Sequence, residues 1–213
     1  MAGTRALNPL ELERLARSLP TETPRDRLLV LTLIKTGFRV SEAIGLRVAQ
    51  VWSGNAPRGR IGVPPRFLKG RRGQTRWVPV GPVLAAAIGE QIEELARGGC
   101  LLPDSPLFPS RQRGADGRAR PLTRQMAALI IGRVFARAGV ADDGRLGTHS
   151  CRKSFARAVY ENCGHDLLVA RDALGHRSVA VTEAYLDTNA DTVEAAILAA
   201  DGGGRPADCS LVA

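Results

Sequence analysis

Long stretches of the chain alternate apolar and polar positions with the 3.6-residue period of an α-helix, and several begin and end at capping residues. In the clearest of them, residues 23–35, Thr23 can cap the first free amides, Pro24 suits the first helical position and Gly37 ends the helix. The same spacing predicts further helices at residues 8–18, 41–48, 82–97, 123–138, 148–162, 165–174, 178–186 and 191–200.

Residues 60–69 and 74–80 have a different pattern, in which valines, a tryptophan and prolines flank a turn at residues 70–73. This pattern predicts a β-hairpin, and residues 48–52 predict a short strand before it. Residues 103–121 are rich in Gly, Arg and Pro and predict a flexible connecting loop. The predicted fold class is therefore mainly α (α+β), a helical domain with one small antiparallel three-stranded β-sheet.

Charge narrows the expected partners. The 213 residues carry 30 Lys and Arg against 21 Asp and Glu, a formal net charge of +9, which favours an anionic partner. The longest apolar stretch, residues 28–34, is far too short to span a bilayer, so a membrane is not expected. No pattern of an export signal is present at the start. The expected location is the cytoplasm, in association with the nucleoid, where DNA is the abundant polyanion.

The four cysteines contain no C-x-x-C pair, which fits neither a zinc site nor a disulfide framework. We therefore expect reduced thiols that serve in packing or have no role. Lysine is rare, with Lys35, Lys69 and Lys153 as its only occurrences, so a reaction that requires a lysine has few candidates.

The first segment with candidate chemistry is T-G-F-R-V-S-E at residues 36–42. The chain turns at Gly37 and Ser41 is placed to cap the next helix, which exposes Arg39 at a tight corner. Glu42, in the first turn of that helix, favours the helix dipole and could orient Arg39. An ordinary salt-bridged corner is the alternative interpretation.

The second segment is the basic hairpin F-L-K-G-R-R-G-Q-T-R-W-V-P-V, at residues 67–80. A basic hairpin tip can enter a DNA groove, which would place Lys69 at its base beside the DNA backbone. A solvated surface turn is the more common role of such a run taken by itself.

The third segment is T-H-S-C-R at residues 148–152. With Thr148 as N-cap, His149 and Arg152 share one face of the first helical turn, where free amides already attract phosphate. Cys151 lies on the adjacent apolar face and should pack inward. A lone His-x-x-Arg is weak evidence, because chance pairs are common.

The fourth segment is L-G-H-R-S-V-A-V-T-E-A-Y at residues 174–185. Gly175 ends one helix and Ser178 begins the next, which holds His176 at the junction, and Tyr185 follows nine residues later. Core packing is the usual role of a single tyrosine. However, the chain has only two tyrosines and three histidines, and two of the histidines fall in these segments.

Taken together, the four segments resemble the tyrosine recombinase or phage integrase family. That family shows, in this order, an Arg in a T-G-x-R-x-S-E corner, a hairpin Lys, an H-x-x-R pair and an L-G-H followed nine residues later by Tyr. The resemblance covers residues 8–190. Cys151 stands where the family usually has Leu or Met, and Lys153 where a second His is common. The catalytic residues that the resemblance implies are Arg39, Lys69, His149, Arg152, His176 and Tyr185.

The resemblance implies a DNA strand transferase. Tyr185 would attack a phosphodiester and form a 3′-phosphotyrosyl link with a free 5′-hydroxyl. Arg39 and Arg152, with His176 as a third donor, would stabilise the charge of the transition state.

The resemblance also assigns the proton transfers. His149 is the candidate base for the phenol, and Lys69 would protonate the departing 5′-oxygen. Glu42 would support Arg39. One ester replaces another, so no ATP or other cofactor is expected, and no carboxylate cluster suited to Mg²⁺ accompanies the motifs.

The expected organisation is a catalytic domain at residues 1–200 followed by a disordered tail at residues 201–213. No additional N-terminal clamp domain is expected, as in short relatives such as the fimbrial phase-switch invertases. The family acts on double-stranded DNA as a homotetramer, with possible accessory DNA-bending proteins. Residues 191–200 could dock on a neighbouring protomer or pack on their own domain.

Three functions stay open. The first is a site-specific recombinase acting as integrase, resolvase or invertase. The second is a topoisomerase-like or hairpin-forming strand transferase. The third is a catalytically silent DNA-binding regulator or a truncated integrase remnant.

Overall fold

The computed structural model describes residues 4–63, 75–140, 143–183 and 185–186. Within these ranges the chain forms nine α-helices, a 3-10 turn (Leu19–Thr21) and two antiparallel two-stranded sheets. The helices and strands in chain order are α1 (Pro9–Ser18), α2 (Pro24–Thr36), α3 (Val40–Ile44), α4 (Val48–Val51), β1 (Arg60–Val63), β2 (Arg76–Pro79), α5 (Pro82–Arg97), β3 (Pro109–Arg113), β4 (Ala119–Pro121), α6 (Arg124–Arg137), α7 (Thr148–Asn162), α8 (Leu167–Leu174) and α9 (Val179–Glu183).

Helix α2 lies at the centre of the domain and packs mainly against α5 and α7. The Thr23 hydroxyl oxygen accepts a hydrogen bond from the Asp26 amide, and Pro24 is the first helical residue. Gly37 ends the helix with a positive φ of 60°. These three predictions are confirmed. Consecutive residues 28–31 and 33 are all buried because neighbouring helices cover α2 from several sides.

Strands β1 and β2 pair antiparallel, which confirms the predicted strand pairing, with Ile61 opposite Val78 and Gly62 opposite Trp77. Ile61 and Val78 face the core, and Trp77 points outward. The connecting segment at residues 64–74, which contains Lys69, lies outside the described residues.

The mainly helical class is confirmed, but the predicted single three-stranded sheet is wrong in its strands. Residues 48–51 form α4 instead of a strand, because Val48 and Val51 are both buried at helical spacing. Residues 109–121 contain the hairpin β3–β4 instead of a flexible loop. The buried side chains of Leu107 and Phe108 tie this segment to the core.

Three predicted helix starts also differ. The N-cap of α3 is Arg39 and not Ser41, and the Glu42 carboxylate accepts a hydrogen bond from the Arg39 amide. Gly147, not Thr148, occupies the cap of α7, and α9 begins at Val179.

The helix predicted at residues 191–200 and the tail at residues 201–213 lie outside the described residues. No helix in the described part of the chain is long and apolar enough to cross a membrane.

Candidate active site

The C-terminal ends of α2 and α8 meet the first turn of α7. The carbonyl oxygens at the end of a helix have no partner inside that helix and carry its partial negative charge. Here the carbonyls of Gly37 and Leu174 accept hydrogen bonds from Arg152 on α7. The meeting of these helix ends therefore forms a site that holds a cation.

Arg152 is wholly buried, with 0% exposure. Its Nη1 donates to the Gly37 carbonyl, and its Nη2 donates to the Leu174 carbonyl at 2.8 Å and lies 3.0 Å from His176 Nε2. Its Nε is buried without a hydrogen-bond partner among the described residues. Burial, followed by the charge of Arg39, lowers the pKa of Arg152.

His176 lies at the junction of α8 and α9, with Nδ1 3.0 Å from the Thr182 hydroxyl oxygen. Burial, followed by the charges of Arg152, Arg39 and Arg76, lowers its pKa to about 4. The imidazole is therefore neutral near pH 7. Because a guanidinium can only donate, Nε2 must accept from Arg152, which assigns the ring proton to Nδ1 and makes it the donor to Thr182.

Tyr185 follows α9 and is half-buried. Its ring centroid lies 4.9 Å from that of His176 at an interplanar angle of 57°, and the Arg152 guanidinium carbon lies 5.9 Å from the Tyr185 centroid. The phenol is thus at the edge of the site and not enclosed in the hydrophobic core.

Arg39 and Glu42 form a corner beside the same helix end. Arg39 Nη1 donates to Glu42 Oε1 at 2.9 Å, and the Arg39 amide donates to Glu42 Oε2 at 2.7 Å. Glu42 is buried, whereas the Arg39 side chain is 30% exposed. The carboxylate therefore fixes a guanidinium that stays accessible from outside.

His149 lies on the exposed face of the first turn of α7. Its partial burial, followed by the charges of Arg152, Arg39 and Lys153, lowers its pKa. The lowered pKa keeps the imidazole neutral near pH 7, so that one of its ring nitrogens can accept a hydrogen bond. Of the six residues singled out from the sequence as catalytic, Lys69 alone lies outside the described residues.

Sequence reasoning missed two buried residues of this site. Arg76 on β2 donates to the carbonyls of Leu174 at 2.7 Å and Thr36 at 2.9 Å, and stacks on Phe38 at 4.9 Å. Thr182 is the partner of His176. A usable signal existed for Arg76, which occupies an inward position of the strand, in phase with Val78.

The remaining features of the site region are structural. Cys151 is wholly buried, and burial raises the pKa of its thiol to about 12, which makes it inert. Within the described ranges, no group of three or more His, Cys, Asp or Glu side chains could hold a metal ion.

Comparison with known proteins gives one family. The model of the phage integrase family matches residues 5–192. Tyrosine recombinase XerD of Corynebacterium glutamicum is 34% identical over 171 residues, which cover 79% of this chain and 50% of the relative. Tyrosine recombinase XerC of Halalkalibacterium halodurans is 30% identical over 184 residues, which cover 85% of this chain and 57% of the relative. The chain spans about half the length of these curated relatives.

A solved structure is similar to this chain over most of its length. The XerH site-specific recombinase, bound to palindromic difH substrate in a post-cleavage complex, superposes with a TM-score of 0.68 at 26% identity. That superposition covers 94% of this chain and 55% of the XerH chain.

Proposed function

The chain belongs to the phage integrase family, and from that membership we propose that it is the catalytic part of a site-specific tyrosine recombinase. It would cut and rejoin double-stranded DNA through a 3′-phosphotyrosyl link at Tyr185. The names of the relatives and the DNA-bound XerH complex support this assignment.

One observation carries the proposal. The Tyr185 ring lies against His176 and beside the Arg152 guanidinium, at 4.9 and 5.9 Å, although the three residues come from separate elements. A nucleophile next to a buried cation is what attack on a phosphodiester requires, because the negative charge of the phosphate otherwise repels the attacking oxygen.

The reaction would proceed by exchange of one ester for another. The Tyr185 oxygen forms a bond to phosphorus, and the bond from phosphorus to the 5′-oxygen breaks. His149 would take the phenolic proton, and Lys69 would supply a proton to the leaving 5′-oxygen. Rejoining reverses these steps with a different 5′-hydroxyl, so the energy of the ester bond is conserved.

Arg39 and Arg152 would stabilise the transition state from two sides. Arg39 is accessible and oriented by buried Glu42, whereas Arg152 is held by two helix carbonyls. Loss of one such donor typically lowers a rate by about 10²–10³-fold. Arg152→Lys would keep the charge but could not reach both carbonyls, so we expect a loss of that size.

His176 would change partner when DNA binds. In the structure its Nε2 accepts a hydrogen bond from Arg152 Nη2. A phosphate oxygen could replace Nε2 as that acceptor, and its negative charge would favour protonation of the imidazole. The protonated ring could then donate to the phosphate.

A catalytically silent DNA-binding regulator is the second candidate. The observation that favours it is the complete burial of Arg152, whose Nη atoms already have partners. Catalysis would therefore require a phosphate oxygen to replace one of these partners, such as His176 Nε2.

We also propose the wider organisation of the enzyme. Residues 1–200 would act as the catalytic domain, and four copies would assemble on two DNA sites, with accessory DNA-bending proteins as further partners. The basic net charge of +9 supports the DNA partner.

The test is covalent capture on duplexes that contain a randomised sequence and a single nick. The nick releases the short strand that carries the new 5′-hydroxyl, so a covalent adduct accumulates. We expect a DNA-linked band on denaturing gels, with the DNA attached at Tyr185 by peptide mass spectrometry.

Tyr185→Phe should abolish this band. Tyr160→Phe is the matched control, because Tyr160 is the other tyrosine and packs on His165 instead, at 5.0 Å between ring centroids. An adduct that survives in Tyr185→Phe would exclude Tyr185 as nucleophile. Specific binding without any adduct would favour the silent regulator.

A further inference from the structure

The outer face of the sheet β1–β2 carries a groove of about 580 Å³ that the proposed reaction does not use. Its lining includes Gln50, Arg58, Arg60, Gly62, Thr75 and Trp77. We infer that this groove binds an unpaired nucleotide of the DNA strand during exchange, with the base stacked on Trp77 and the phosphates held by Arg58 and Arg60. The inference rests on the proposed function.

Trp77 is an exposed aromatic platform. Its side chain is 58% exposed, although tryptophan is normally largely buried. The ring lies over Gly62, the residue opposite in the β-ladder, where an added Cβ would come within 3.0 Å of it. The six-membered ring of the indole therefore lies close to Gly62, and more than half of the residue's surface is open to solvent.

The charged residues that line the groove beside Trp77 are basic. Arg58 and Arg60 are both exposed, and the Nε of Arg58 donates to the Ala49 carbonyl at 2.9 Å, which fixes its guanidinium at the groove. None of the lining residues in the described part of the chain is acidic. An aromatic face with cations beside it is the combination that binds single-stranded nucleic acid.

The occupant must be unpaired. Paired bases in a duplex present only their edges in the grooves, so an indole face cannot stack on them. Strand exchange creates unpaired bases, because a cleaved strand has to leave one duplex before it joins another. Successive residues of a strand point to opposite faces, so Arg76 contacts the active-site carbonyls while Trp77 faces the groove. The groove is thus separated from the site by one sheet.

The chain offers a direct optical test, because it contains only two tryptophans. In Trp52→Phe, Trp77 is the sole indole. We expect its fluorescence to be quenched by a short single-stranded oligonucleotide. An abasic strand of the same length and a duplex of the same sequence should quench much less.

Titration of a labelled single-stranded oligonucleotide with protein measures the affinity of the groove for single-stranded DNA. Trp77→Leu should weaken it by about 5- to 100-fold, the range of a single base–aromatic stack. Gly62→Ala, which displaces the ring without removing it, should weaken it in the same direction. Arg58→Gln with Arg60→Gln should lower the slope of log affinity against log salt concentration by about 0.7 for each phosphate that is no longer neutralised. Circular dichroism and thermal unfolding verify that each variant is folded.

Covalent capture and strand joining separate a defect at the groove from a defect at Tyr185. Trp77→Leu should still form the covalent adduct on the nicked duplex but join it to a second duplex about tenfold more slowly, within the range of one lost base–aromatic stack. Equal quenching by the abasic strand, or unchanged single-strand affinity of Trp77→Leu, would overturn the base-stacking site. A concentration-dependent self-association that disappears in Trp77→Leu would instead assign the groove to a protein contact and also overturn it.

Discussion

Arg76 and Arg152 donate hydrogen bonds to the same backbone oxygen, the carbonyl of Leu174, at 2.7 and 2.8 Å. Each guanidinium also binds a carbonyl at the end of α2, Arg76 that of Thr36 and Arg152 that of Gly37. Two like charges can be buried together here because the negative ends of two helix dipoles converge on them. Arg76 thus helps to position the carbonyls that hold Arg152.

Replacement of Arg76 by methionine tests this relationship. Arg76→Met keeps the apolar stem but leaves the Thr36 carbonyl without its donor, so we expect the free energy of unfolding in urea to fall by about 2–3 kcal/mol. Arg118→Met, at an exposed position, should change it by no more than about 0.5 kcal/mol.

The same variant should form the covalent adduct more slowly while its DNA affinity is nearly unchanged. A merely structural role would give normal adduct formation in the folded fraction, and that result would contradict the positioning of Arg152 by Arg76.

Position 37 requires glycine for two reasons: its backbone has a positive φ, and the neighbouring Phe155 ring leaves no space for a side chain. Its φ of 60° disfavours a side chain, and an added Cβ would overlap the Phe155 ring. Gly37→Ala should therefore cost more than Gly139→Ala, whose φ is 66° and whose Cβ would meet nothing within 4 Å.

We expect about 1–2 kcal/mol for Gly139→Ala from backbone strain, and about 1–3 kcal/mol more for Gly37→Ala from overpacking. Unfolding free energies of both variants and of Gly37→Ala with Phe155→Ala provide the measurement. Equal costs for the two glycine variants would show that the contact with Phe155 is unimportant.

The pH dependence of stability should report His176. Its folded-state pKa of about 4 lies below the value of about 6.5 in an unfolded chain. The unfolded chain therefore binds more protons between these two pH values. The contribution of neutral His176 to the free energy of unfolding is fully present above about pH 6.5 and is lost as the pH falls towards 4. The loss amounts to about 3 kcal/mol at most.

Unfolding free energies between about pH 4.5 and 7 check this expectation, since most carboxylates stay ionised in that range. His176→Gln, which does not titrate, should flatten the curve. Because the pKa of His149 is also lowered, His149→Gln is measured in parallel and its contribution subtracted. An unchanged slope in His176→Gln would refute the assignment of a neutral, buried imidazole.

Glu42 should act through Arg39. Glu42→Gln retains an oxygen that can accept the Arg39 amide but removes the negative charge that orients the guanidinium. We expect adduct formation to slow by about tenfold with little change in thermal unfolding, an effect smaller than loss of a phosphate donor itself. Glu13→Gln, which removes the carboxylate of an exposed ion pair on α1, is the control. Equal rates for the two variants would contradict the role of Glu42.

Much of the fold followed from local rules. Thr23, Pro24 and Gly37 determine both ends of α2, because capping and backbone conformation depend on a few adjacent residues. The helical class and the paired strands β1 and β2 were predicted from the pattern of apolar residues, which is also a local property of the sequence. The strand predicted at residues 48–52 was wrong, because a short apolar run is compatible with either a strand or a helix and only its packing decides.

Short motifs in the sequence identified four side chains of the candidate site, Arg39, Arg152, His176 and Tyr185, but not Arg76 or Thr182. The protonation and hydrogen bonding of these groups depend on the folded structure. The burial of Arg152, the neutral form of His176 and the role of Arg76 depend on helix ends and charges that are far apart in the chain. Desolvation and electrostatic interaction vary with distances in space, and spacing along a sequence does not specify those distances.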